Sequence, residues 1–267
     1  MDLLHAIVLG TIQGLTEFLP VSSSAHLSLA PWLLGWDDPG LAFDVALHLG
    51  TLVAVLWYFR REWRSLAAAT IDIARTRRID APEKRQVVYL VIATIPGGIA
   101  GLLLNKLAEE TFRAPALTAS ALIVMGTVLW AVDRYRPEQR ALDSVRWRDA
   151  LLIGLAQMFA LIPGVSRSGS TITAGRALGF DRQSAAVFSF LMSMPITAAA
   201  AIVKVPHALR EHGSSLELIA GILAAFISSA LAINVLLRYV SKHSYGVFAA
   251  YRWVLGLAVL AIVARRG

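Results

Sequence analysis

The sequence contains no cysteine, so disulfides and thiolate metal sites are excluded. Charge is scarce too. Only 16% of the 267 residues are Asp, Glu, Lys or Arg, 57% are hydrophobic, and the mean hydropathy is +0.62. A soluble domain of this length carries more charge. Alternating segments of about ten residues, the mark of a transmembrane barrel, are missing as well. The first segment, LLHAIVLGTIQGLTEFL, has neither a basic start nor a small-residue cleavage site, so it does not read as a signal peptide.

What the chain has instead is apolar runs. Residues 41–59, 87–104, 114–132, 183–203, 216–237 and 247–264 are each long enough, or nearly so, to cross a hydrocarbon core of roughly 30 Å as a helix. The expected fold class is an all-α polytopic membrane protein with six transmembrane helices. The net charge of +7 then reflects orientation in a bilayer rather than nucleic-acid binding. Eight Lys and Arg lie between Arg60 and Arg85, and five between Arg134 and Arg148. The loops around Lys106–Arg113 and Lys204–Arg210 hold two each. Basic loops stay inside, which puts the first pair in the cytoplasm and both termini outside; the final ARRG runs against this. Trp57, Tyr58, Trp130 and Tyr135 suit interfacial belts, and Arg75, Arg77 and Arg78 end a stretch suited to the cytoplasmic surface.

Two segments, 3–35 and 149–179, begin apolar but are interrupted by Pro and a Ser-rich turn. They read as re-entrant hairpins, a half-helix in and a half-helix out. They also resemble each other: GTIQGLTEFLPVSSSAH from Gly10 aligns with GLAQMFALIPGVSRSGS from Gly154 at an offset of 144. Three spans follow each hairpin. The chain therefore reads as two halves of one membrane domain, 1–140 and 141–267. An odd number of spans gives the halves opposite orientations, an inverted repeat whose hairpin turns can meet near mid-membrane.

The hairpins hold the polar residues. Gln13 and Glu17 share a helix face with Gly10 and Gly14, where another backbone can approach closely. Pro20 ends the half-helix, and Ser22, Ser23 or Ser24 can cap the next, with His26 one turn further on. A carboxylate at membrane depth costs about 2.5 kcal/mol or more, which favours function for Glu17 over a structural acceptor role. In the second hairpin, PGVSRSGSTI sets Arg167 among Gly164, Gly169, Ser166, Ser168, Ser170 and Thr171 at a helix start, which suits a phosphate. The competing reading is that Arg167 pairs with Glu17 and only joins the halves. Asp44 and His48, four apart in the first span, are weaker candidates; Glu217 and Arg252, near span ends, are expected to snorkel or pair. One carboxylate, one imidazole, hydroxyls, an arginine and two helix starts suit phosphoryl chemistry.

QGLTEFLPVSSSAHL at 13–27, PGVSRSGSTI at 163–172 and FDVALHLGTLVAVLWYF after the first hairpin resemble the undecaprenyl-diphosphate phosphatase family, the bacitracin-resistance type of integral membrane phosphatase. The resemblance covers nearly the whole chain. It implies hydrolysis of the polyprenyl diphosphate lipid to the monophosphate in the bacterial inner membrane, which recycles the carrier for cell-wall synthesis. It implies catalytic roles for Glu17, Ser23, His26 and Arg167, with Gln13, Ser22, Ser24, Ser166, Ser168, Ser170 and Thr171 at the substrate. Gln13 stands where many members have Glu, and Ala25 where Gly is common. The resemblance also implies Mg²⁺ or Ca²⁺ with Glu17 as its main protein ligand, and leaves room for a homodimer. Attack by Ser23, with Glu17 or His26 as base, is the expected chemistry, with His26 or water as the alternative nucleophile. The rival function is a transporter or flippase for a prenyl-phosphate lipid, because paired broken helices are also a transporter plan.

Overall fold

The computed structural model describes residues 2–110, 114–212 and 215–266, without the side chains of 41, 105–110 and 203–212. The loops expected to lie opposite the cytoplasm, Lys106–Arg113 and Lys204–Arg210, fall outside the described residues, wholly or in their side chains. Among the described residues there are eleven α-helices and no β-strand. They are α1 (Leu3–Phe18), α2 (Ser23–Leu34), α3 (Leu41–Tyr58), α4 (Arg60–Thr76), α5 (Pro82–Glu110), α6 (Pro115–Tyr135), α7 (Trp147–Met158), α8 (Arg167–Ala177), α9 (Arg182–His212), α10 (Leu216–Val240) and α11 (Gly246–Arg266).

Each of the six apolar runs forms a helix. By length and composition, α5, α6, α9, α10 and α11 suffice to cross a membrane, and α3 makes a sixth span if it is counted with α4, which is bent away from it by 85°. α4 is itself amphipathic. It packs on α5, buries Leu66 and Ala69, and leaves Arg60, Arg61, Arg64 and Arg75 exposed. That amphipathic pattern suits a helix lying on a surface.

The two interrupted segments are helix–turn–helix units. Asp2 caps α1 by accepting from the His5 amide at 2.8 Å, and the helix stops before Pro20. α2 ends at Gly35, whose φ of 70° gives a left-handed C-cap. α7 continues into a single 3₁₀ turn, Phe159–Leu161, before Pro163. Ser22 caps α2 and Ser166 caps α8. Their φ values, 75° and 74°, are left-handed, a conformation that costs a non-glycine residue roughly 1–3 kcal/mol. Both turns carry the same strain, 144 positions apart.

The helix packing shows the same correspondence. α1 lies against α10 and α7 against α5; α3 also touches α10, and α9 touches α5. A Cβ on Gly10 would collide with the Gly221 carbonyl, and one on Gly154 would come within 2.5 Å of the Ala93 carbonyl. Only glycine permits these backbone approaches. The main hydrophobic core gathers Phe18, Phe59, Ile172, Phe190, Ile233 and Tyr245 from elements throughout the chain. Through Phe18 of α1 and Ile172 of α8 it joins both hairpins to the spans.

Candidate active site

The end of α1 and the start of α8 meet. Glu17, only 6% exposed, sits on the last turn of α1. Its Oε1 accepts from Arg167 Nη2. Its Oε2 accepts from Ser23 Oγ at 2.6 Å and from Gln13 Nε2 at 2.9 Å. The i, i+4 spacing of Gln13 and Glu17 makes the last contact possible. Arg167 Nη1 donates to Thr197 Oγ1 on α9 at 3.1 Å.

A cavity of about 250 Å³ opens beside this cluster. Its polar lining is Glu17, Ser23, Ser24, His48, Gln157, Ser166, Arg167 and Thr197. Val45, Leu161, Ile196 and Ala200 form much of the apolar remainder. α2 and α8 both start here, so the partial positive ends of two helices border one space.

His48, from α3, brings Nε2 to 3.5 Å from Glu17 Oε2. Its Nδ1 lies 2.8 Å from the Asp44 carbonyl, which can only accept, so Nδ1 carries a hydrogen. Nε2 is therefore the nitrogen that can take or release a proton at the carboxylate.

The expected site residues separate into two groups. Glu17, Ser23, Ser24, Ser166 and Arg167 line the cavity, with Gln13 behind Glu17. The others hold the turns. Ser22 Oγ accepts from Ala25 N at 3.3 Å and from Gly164 N of the opposite hairpin at 3.1 Å. Ser168 Oγ donates to the Leu19 carbonyl at 3.0 Å, which returns that link. Ser170 Oγ and Thr171 Oγ1 donate to the Arg167 carbonyl, and Thr171 also meets Ser189 at 2.6 Å.

His26 departs from the expectation. It is not among the cavity-lining residues. Nδ1 donates to the Ser22 carbonyl at 2.7 Å, and Nε2 lies 2.6 Å from the Tyr251 hydroxyl on α11, with the two rings stacked. Both ring nitrogens are engaged, and the imidazole links the Ser22 turn to α11. His48 is the imidazole at the carboxylate.

Arg252 also corrects the sequence reading. It does not snorkel; it is fully buried. Its guanidinium donates to the carbonyls of Pro20 at 3.0 Å, Gly164 at 2.6 Å, Val165 at 3.0 Å and Leu122 at 3.1 Å. One cation on α11 thus clamps both hairpin turns. A charge inside an apolar helix was the available signal; the clamp depends on where α11 packs.

The donor set can be tested against a hard divalent cation. Among the described residues no three His, Asp or Glu side chains converge. Glu17 is the one carboxylate lining the cavity, and it already bears Arg167. Gln13 Oε1 is buried and has no partner among the described residues. These oxygens fit Mg²⁺ or Ca²⁺ only as a minority share of a shell completed by phosphate oxygens and water.

The fold and the cavity define a polytopic helical membrane protein in which two helix–turn–helix units present a carboxylate, an arginine and hydroxyls to one cavity. Residues 6–258 match the family model described as bacitracin resistance protein BacA. An undecaprenyl-diphosphatase of Gemmatimonas aurantiaca is 64% identical, with 100% of each chain covered. Undecaprenyl-diphosphatases of Moorella thermoacetica and Pelobacter propionicus are 48% and 47% identical, each match covering 98% of both chains. The chain belongs to the bacitracin resistance protein BacA family.

Proposed function

We propose that this protein is an undecaprenyl-diphosphatase: it hydrolyses undecaprenyl diphosphate to undecaprenyl phosphate and inorganic phosphate. The relatives carry that name over the whole chain length. The observation that carries the reading at the site is the convergence of Ser23, Glu17 and Arg167 on one cavity.

The chemistry follows from that arrangement. Glu17 Oε2 takes the proton of Ser23 Oγ as the hydroxyl attacks the terminal phosphorus. The Oγ–P bond forms and the bridging P–O bond breaks, so undecaprenyl phosphate leaves. Water then attacks the phosphoserine, the Oγ–P bond breaks, and Ser23 regains a proton as inorganic phosphate departs. His48 Nε2, beside Glu17, relays protons to and from the carboxylate. Arg167 turns from Thr197 to the phosphoryl oxygens, where its planar pair of donors matches the charge developing there. Glu17 and the Gln13 amide oxygen are the residues that would hold a hard cation, and its chemistry there would be to neutralise phosphate charge.

The architecture in the bilayer belongs to the same proposal. Residues 1–140 and 141–267 form two inverted halves, and 3–35 and 149–179 are re-entrant hairpins. The matched strain at Ser22 and Ser166 and the corresponding packing of α1 on α10 and α7 on α5 support it. The loops rich in Lys and Arg face the cytoplasm of the bacterial inner membrane, and both termini face out.

The test is release of inorganic phosphate from undecaprenyl diphosphate by purified protein in detergent. The proposal expects steady turnover without a bilayer. A lipid flippase releases nothing there, and that result would overturn the proposal.

A further inference from the structure

Gln13 and Gln157 occupy equivalent positions, 144 apart, on α1 and α7. Their fates differ because of the residue one helical turn further on. Gln13 has Glu17 there and donates Nε2 to it at 2.9 Å. Gln157 has Leu161. It is 3% exposed, yet neither Nε2 nor Oε1 has a hydrogen-bond partner among the described residues. It lines the cavity with Glu17, Ser23 and Arg167. A buried amide left unpaired destabilises a fold. Isosteric replacement by an apolar side chain would remove that cost. The site therefore holds a polar group that the folded chain alone does not use.

On the reading that this cavity handles a prenyl diphosphate, we propose that Gln157 binds the diphosphate head directly. The Nε2 hydrogens donate to a phosphate oxygen. Oε1 accepts from a water or hydroxyl in the same space, a role closed to Arg167, which has donors only. Gly97 belongs to this device. A Cβ at position 97 would collide with Gln157 Nε2, so the glycine on α5 leaves the room in which the amide sits. Leu161 keeps a second carboxylate away from the anion. The repeat thus supplies a carboxylate for proton transfer from one half and a neutral amide for binding from the other.

The experiment compares wild type, Gln157→Leu, Gln157→Glu and Gly97→Ala in phosphate release from undecaprenyl diphosphate, with thermal melts of each. A binding amide contributes equally to ground and transition states. Gln157→Leu is therefore expected to raise KM about 10-fold with kcat nearly unchanged. Its melting temperature is expected to stay level or rise, since the unpaired amide is gone. Gln157→Glu puts like charge against the diphosphate and is expected to lower kcat/KM by about 100-fold. Gly97→Ala, which displaces the amide but keeps its chemistry, is expected to raise KM in the same direction as Gln157→Leu. If Gln157→Leu keeps a wild-type KM, or if it lowers kcat and the melting temperature together, the amide is structural and the inference fails. Failure of wild type itself to release phosphate would reject the underlying function instead, so the two outcomes are separate.

Discussion

Arg167, the first residue of α8, donates to Glu17, near the end of α1, across 150 positions of sequence. The pair is a structural link, and it also sets the cation at the cavity wall. Its second nitrogen rests on a neutral hydroxyl, Thr197, at 3.1 Å, so a phosphate can displace that contact at little cost. Arg167→Lys separates the two roles. One cation still faces Glu17, so a folded protein is expected. The planar two-pronged donor is lost, and kcat should fall by about 10²-fold or more with a smaller change in KM. Steady-state turnover on a prenyl diphosphate, beside a melt, reads both.

The two histidines should behave differently. His26 contacts the Ser22 carbonyl and Tyr251, so Tyr251→Phe should reproduce much of the loss expected of His26→Ala. The double variant should cost little more than His26→Ala alone, because that variant already removes the contact with Tyr251. His48→Ala should instead lower kcat and change its pH profile, with the melt nearly unaffected. Additive losses at His26 and Tyr251, or an unchanged profile in His48→Ala, would go against this assignment.

Arg252→Met should unfold readily. It strips the donor from the buried turn carbonyls of Pro20, Gly164 and Val165, and an unsatisfied buried group costs about 1–3 kcal/mol. A drop in melting temperature and loss of turnover together are expected, although the residue does not line the cavity. Retained stability would show that the turns hold themselves.

The placement of ends can be checked with single cysteines in this Cys-free chain. Arg77→Cys and Gln139→Cys should be shielded from an impermeant thiol reagent in intact cells, and Leu216→Cys should react. Reversed labelling would turn the protein over in the membrane.

Much of this molecule is visible in its sequence because a membrane makes polar residues conspicuous. Glu17 and Arg167 stand out inside apolar runs, and the 144-residue offset marks the matching turns before any packing is known. Helix-capping chemistry narrows the first cap to Ser22, Ser23 or Ser24, and the structure selects Ser22, with Ser166 in the matching place on α8. What stays hidden depends on how distant helices meet. Thr197 is one of several polar residues along α9, and His48 is only a weaker candidate beside Asp44 on α3; the packing of α3 and α9 against the hairpins brings them to Glu17 and Arg167. His26 lies 2.6 Å from the Tyr251 hydroxyl, and nothing near it in sequence announces that partner. Gln157 is marked by the repeat as a match to Gln13; its vacant amide becomes apparent only when Leu161 is seen in place of a carboxylate.

The most direct test is turnover of Ser23→Ala on undecaprenyl diphosphate, with folding confirmed by a melt. Ser23 Oγ donates to Glu17 Oε2 at 2.6 Å, poised to lose its proton at the cavity wall. The expected result is a stable protein whose kcat falls by at least about 10³-fold, as when a nucleophile is removed and only binding and charge stabilisation remain. Near-normal turnover in folded Ser23→Ala would contradict attack by the serine and return the reaction to water at Glu17.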